Sequence, residues 1–155
     1  MDEISQKIPG KHTSMHKYDE FTKRELASRI PSGESIEATG FLFTKSLAMS
    51  VASHGLSLIG DGYYFAALTR RRMFVIATEM GVVSLKMLNK GVGEFPYSDI
   101  LSVKPGGFLN QKKLTITMKD GKTLVFRLNT LAAVYASGQK QFIDLLIQFH
   151  QAAKG

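Results

Sequence analysis

A chain of 155 residues with 44% hydrophobic side chains is long enough to bury one core and short for two. Cysteine is absent, which excludes disulfides and thiolate metal sites and removes any argument for an oxidising compartment. The net charge of +7 is uneven: residues 1–33 carry six basic and five acidic side chains and residues 34–155 fourteen and eight, so the folded part holds a field that favours anionic partners.

Residues 1–16 are polar, with Pro9-Gly10 and scattered Lys and His, and they lack apolar periodicity. A flexible tail is expected there, ahead of a domain spanning 17–155. His12 and His16 have helical spacing, but no carboxylate or third ligand is placed with them, so no metal site is assigned. The first residues lack the charge and apolar run of a secretion signal. No stretch reaches the roughly 18 to 20 apolar residues of a membrane span. The expectation is a cytoplasmic protein, with peripheral membrane contact as its variant.

Residues 17–30 are rich in helix formers, and Phe21, Leu26 and Ile30 give a partial apolar stripe before Pro31-Ser32-Gly33 stops the helix. A β-barrel region is expected over 34–128. Residues 35–44, with Ile36, Phe41, Leu42 and Phe43, read as its first strand. Residues 46–61 contain no Lys or Arg and read two ways. They form either a helix capped by Ser46 and ended by Gly55, with Leu47, Val51 and His54 on one side, or two short strands. Leu47, Val51 and Leu56 are accordingly candidate interface residues, toward a subunit or a membrane, unless the segment only covers one end of the barrel.

Residues 63–69 and 73–78 are β-rich runs around Arg70-Arg71-Arg72, which read as a hairpin with either a solvated turn or an anion-binding corner. A strand over 82–88 follows, and whether Glu79-Met80-Gly81 interrupts it is open. Asn89-Lys90-Gly91 reads as a turn, 93–96 as a short edge strand, and 100–103 as a strand ended by Pro105-Gly106-Gly107.

The clearest signal lies in residues 114–128. Leu114, Ile116 and Met118, then Leu124, Phe126 and Leu128, alternate with polar or outward residues in the period of two of a sheet with one buried face. All six numbers are even. A two-residue loop at Asp120-Gly121 would oppose residues whose numbers sum to an odd value and put the two rows on opposite faces. A three-residue loop, Lys119-Asp120-Gly121, keeps them together, and its usual form places the last residue at positive φ. A bulged hairpin with Gly121 in the left-handed region is therefore expected.

Residues 137–153 close the chain as an amphipathic helix, with Phe142, Leu145, Leu146, Phe149 and Ala153 on one face. Ile143 and Ile147 form a second row roughly 100° around it, either an oligomer contact or the mark of a helix sunk into the end of a barrel. The order of elements predicts a mainly β fold with flanking helices: a small antiparallel barrel or sandwich plugged by the last helix.

The runs Phe-Ala-Ala-Leu-Thr-Arg-Arg-Arg-Met-Phe-Val-Ile (65–76), Glu-Phe-Pro-Tyr-Ser-Asp-Ile-Leu-Ser-Val (94–103), Leu-Thr-Ile-Thr-Met-Lys-Asp-Gly-Lys (114–122) and Phe-Ile-Asp-Leu-Leu (142–146), preceded by Ser-Gly-Glu-Ser-Ile (32–36), resemble in order and spacing the bacterial pleckstrin-homology (PH-like) domains. The resemblance implies a partly open barrel of two near-orthogonal antiparallel sheets, about seven strands, capped by the C-terminal helix, and a non-catalytic module. Relatives by fold often bind phosphoinositides through basic residues on both sides of the first loop. Lys45 supplies one here and the segment through Tyr64 none, so the resemblance does not extend to that mode.

No catalytic residue, cofactor or metal is assigned. The chain lacks a Cys nucleophile, a Walker-type loop and a zinc-protease motif, His54 among its serines has no orienting carboxylate, and Asp99 near Glu94 reads as a turn residue. The leading expectation is a binding or scaffolding module acting through a protein partner or self-assembly, using strand edges and the Ile143/Ile147 row. The second is a peripheral binder of anionic lipid through Arg70, Arg71, Arg72, Lys112, Lys113, Lys119 and Lys122. Nucleic-acid binding comes third, because the outward face of the final hairpin shows no aromatic side chain for stacking.

Overall fold

The computed structural model describes residues 9–44, 62–79 and 87–154, with side chains from residue 17 onward. The chain runs α1 (Pro9–Leu26), β1 (Ala38–Thr44), β2 (Gly62–Leu68), β3 (Arg72–Thr78), β4 (Val92–Pro96), a 3-10 turn (Tyr97–Asp99), β5 (Ile100–Phe108), β6 (Gln111–Met118), β7 (Thr123–Asn129) and α2 (Phe142–Lys154). All seven strands are antiparallel and hydrogen-bonded in one open sheet, in the order β4-β3-β2-β1-β7-β6-β5. The halves β4–β1 and β7–β5 meet where β1 lies beside β7, in register at one residue pair, Phe43 opposite Arg127.

The sheet curls so that both halves share one core. Leu42, Tyr64, Met73 and Val75 from the first half pack with Leu114, Ile116 and Phe126 from the second, under Phe142, Leu146 and Phe149 of α2. The ring of Tyr64 meets that of Phe126 edge-on at 5.9 Å. A second cluster lies on the other face of β1–β3, where Tyr18 and Phe21 of α1 pack on Phe65, with ring centroids 5.8 and 5.4 Å apart. Buried on both faces, β2 and β3 read as near-continuous apolar runs, whereas β6 and β7, with one face to solvent, alternate.

The hairpin of β6 and β7 has the geometry its parity requires. Ile116 lies opposite Leu124, the Met118 N–H donates to Lys122 O at 2.7 Å, and the Gly121 N–H donates to Met118 O at 2.9 Å. Gly121 has φ +94°, and all six even-numbered side chains are buried. The loop is thus the three residues Lys119-Asp120-Gly121, closed by a left-handed glycine.

Three boundaries differ from the sequence reading. The first helix starts at Pro9 and ends at Leu26, so it takes in half of the expected tail; Pro9 suits a first turn, where its missing N–H has no partner to lose. Strand β5 runs through Pro105-Gly106-Gly107, which end strands in a sheet interior but are tolerated here because β5 is an edge. The last helix begins at Phe142, with turns over 137–141. Residues 82–86 of the expected 82–88 strand, and Met80 and Gly81 of the interruption posed at 79–81, lie outside the described residues.

Candidate docking surface

The seven cations singled out in the sequence belong to three separate turns. Arg70, Arg71 and Arg72 form the β2–β3 turn, Lys112 and Lys113 follow the β5–β6 turn, and Lys119 and Lys122 flank Gly121 between β6 and β7. The last two groups stand at opposite ends of β6, about 20 Å apart at strand rise.

The arginine corner borders a groove of about 800 Å³, walled by residues 33–37 and by Ala152 and Ala153 of α2. Its charge is largely answered from within. Arg72 donates to both oxygens of Glu34, Nε at 3.1 Å and Nη2 at 2.8 Å, and through Nη1 to Glu94 at 2.6 Å. Those bonds, to Glu94 first and Glu34 second, hold the Arg72 pKa above its usual value. Thr69 donates to the same Glu34, whose side chain is only 8% exposed. Arg70 pairs with Glu37 at 3.4 Å and lies over the Phe149 ring. The corner therefore ties residues 31–37 to β3 and β4 as a structural clasp. Arg72→Lys, which cannot make the two-pronged contact, should lower unfolding stability by about 2 kcal/mol in urea titration. A wild-type midpoint would show that the clasp contributes nothing.

Ile143 is buried in the main core and Ile147 is partly buried against it. The expected second row on α2 is thus mostly core, because the curled sheet takes up the helix on more than one face. The other interface candidates, Leu47, Val51 and Leu56, lie outside the described residues. Strand addition at β5 is hindered by Pro105, which has no N–H to donate, and by exposed Lys104 beside it.

What the sequence reading missed lies at the β5–β6 turn. Phe108 is 75% exposed, Leu109 69% and Leu131 70%. Phe108 lies opposite Gln111, so the turn is Leu109-Asn110, and Leu109 has φ +51°. That region disfavours a leucine by roughly 1 kcal/mol or more. The loop after β7 is pinned to this turn: the Thr130 N–H donates to Asn110 O and the Thr130 hydroxyl to Asn110 Oδ1, both at 2.9 Å. Leu109 and Leu131 each sit one residue from that pair, which gathers the three large apolar side chains at one corner. The signal available in the sequence was Phe-Leu-Asn-Gln between two strands, a turn whose asparagine is preceded by two apolar residues instead of polar ones.

A basic face adjoins this corner. Gly106 lies opposite Lys113 and Lys113 opposite Arg127, while Lys104 lies opposite Thr115. Strand alternation puts Lys104, Lys113, Arg127 and Phe108 on the outward face, away from Leu114 and Ile116. Strands β5, β6 and β7 contain no acidic residue, and residues 100–129 hold six Lys or Arg against the single Asp120. Within this cationic face, Lys113 and Arg127 are like charges directly across from each other, an arrangement that costs stability in the free protein.

No family model and no curated protein matches the chain. Among solved structures it is similar to the C-terminal domain of an unknown protein from Leishmania infantum, at 10% identity and a TM-score of 0.53, over 86% of this chain and 97% of that one. It is also similar to the hSac2 domain of the human phosphoinositide phosphatase Sac2, at 9% identity and a TM-score of 0.51, over 88% and 82%. At these identities the likeness is one of fold.

Proposed function

We propose that the chain is a non-catalytic, PH-like binding module that works by docking onto a larger body. The observation that carries this reading is the exposed corner of Phe108, Leu109 and Leu131, set against two apolar clusters that bury most of the other aromatic rings of the sheet and α2. Exposed apolar groups gathered beside a one-sign charged face mark a contact surface more often than a solvent surface. The seven-strand order with a helix across its concave face supports the PH-like assignment, as do the sequence runs that resemble that family. Likeness to a domain of a phosphoinositide phosphatase brings neither that activity nor its substrate to this chain.

The test is independent of what the larger body is. The full chain, tagged with a fluorescent protein and tracked in living cells, should diffuse several-fold more slowly than the same chain carrying Phe108→Ser and Leu131→Ser. Equal diffusion of the two, at the rate of an unattached protein, would remove the docking reading.

A further inference from the structure

We propose that the docking partner is the surface of an anionic lipid bilayer, with Phe108, Leu109 and Leu131 entering the headgroup region while Lys104, Lys113 and Arg127 meet lipid phosphates. This rests on the docking reading above and names its partner.

Three observations point to a bilayer. The apolar groups stand on two adjoining turns, Leu109-Asn110 and the loop after Thr130, and each is exposed over more than two thirds of its surface. A protruding apolar tip suits a soft interface that needs no matching shape, whereas a protein partner would need a pocket for each side chain. Next, the charge on the outward face beside the tip is all of one sign. Across β5, β6 and β7 four cations stand with no carboxylate among them, and a surface of phosphate groups relieves the repulsion between Lys113 and Arg127. Finally, leucine at φ +51° is unfavourable in water and unrewarded within the fold, being 69% exposed; burial in lipid offsets both. Lys112, which follows the same turn on the concave side and lines a cleft with Lys140 and Asp144, does not belong to the outward face.

The experiment is co-sedimentation of the full chain with vesicles of phosphatidylcholine alone or with about 30% phosphatidylserine, at low and at high salt. Binding is expected only with the anionic vesicles and should fall steeply with salt. Lys113→Gln with Arg127→Gln should weaken it about 30-fold, as two lost cations predict. Leu109→Asn with Phe108→Ser should weaken it at least as much. Asparagine accepts positive φ, so that variant should unfold at or above the wild-type temperature, which separates lost binding from lost folding.

Depth is read separately. The chain has no tryptophan, so Phe108→Trp supplies a single reporter, whose emission should shift to shorter wavelength on anionic vesicles and be quenched by brominated lipid. Unchanged emission with bound protein would overturn insertion of the tip. A wild type that ignores the vesicles at low salt but binds single-stranded nucleic acid or an acidic polypeptide would overturn the bilayer as partner. Slow diffusion in cells would then still uphold docking.

Discussion

Replacing Gly40 with alanine should lower the unfolding temperature by about 10 °C, a large effect for a single methyl group. Gly40 lies in β1 opposite Ala66 of β2, and a Cβ there would stand 2.5 Å from Cδ1 and 2.8 Å from Cε1 of the Phe142 ring. Neither partner can readily give way. The strand is held by its ladder to β2, and Phe142, the first residue of α2, is fully buried in the main core. Alanine at a compatible strand position would stabilise by up to about 1 kcal/mol through the unfolded chain, so the loss of about 3 kcal/mol expected here measures the clash. A double-mutant cycle makes the cause explicit. Phe142→Leu alone should destabilise by leaving space, and combined with Gly40→Ala it should cost at least about 1 kcal/mol less than the two changes added. Strict additivity in thermal unfolding would show that α2 is not seated on this glycine.

How much of this is legible in the sequence depends on whether a residue's partner is near it along the chain. The β6–β7 hairpin is readable to the turn type, because parity and a glycine act over fifteen residues. The apolar runs of β2 and β3 announce strands, although which helix covers their outer face is not written locally. Tyr18 and Asp19 show why. Tyr18 meets Phe65, and the Asp19 carboxylate accepts bonds from the Thr39 hydroxyl at 2.8 Å and from the Ser137 N–H at 3.2 Å, partners 20 and 118 residues away. In sequence both look like surface residues of a polar helix. The docking corner is obscured differently. Pro105-Gly106-Gly107 ordinarily stops a strand, and only the position of β5 at the sheet edge lets the strand continue to Phe108 and expose it. Ile143 and Ile147 look surplus as long as one helix face is taken to suffice, whereas the curled sheet receives more of α2.

Gln139 is the residue whose loss should do most damage for the least change in volume. Between β1 and β7 the register has one pair, Phe43 with Arg127, so the main chain of Phe41 is left facing a gap. The Gln139 side chain fills it. Its Oε1 accepts from the Phe41 N–H at 2.8 Å, and its Nε2 donates to Phe41 O and to Asn129 O, both at 3.0 Å. A buried amide thus stands in for the missing rung that joins the two halves of the sheet. Gln139→Ala strips the partner from three main-chain groups, each worth roughly 1 to 3 kcal/mol when left unsatisfied, and should destabilise by about 4 kcal/mol. Gln139→Glu separates this from a simple packing loss. A carboxylate would keep an acceptor for Phe41 N–H but turn negative charge on two carbonyl oxygens, so the native state would favour its protonated form and raise its pKa above the usual value of about 4.3. With the folded pKa raised, the native state holds a proton that the unfolded chain has lost, and stability falls as pH rises from that unfolded value toward the folded one. Relative to wild type, the glutamate variant should therefore be more stable near pH 4 than near pH 7, by about 1.4 kcal/mol for every tenfold gain in proton affinity on folding, whereas Gln139→Ala should show no such slope. Parallel pH profiles for both variants in urea denaturation would mean that residue 139 does not bridge the strands.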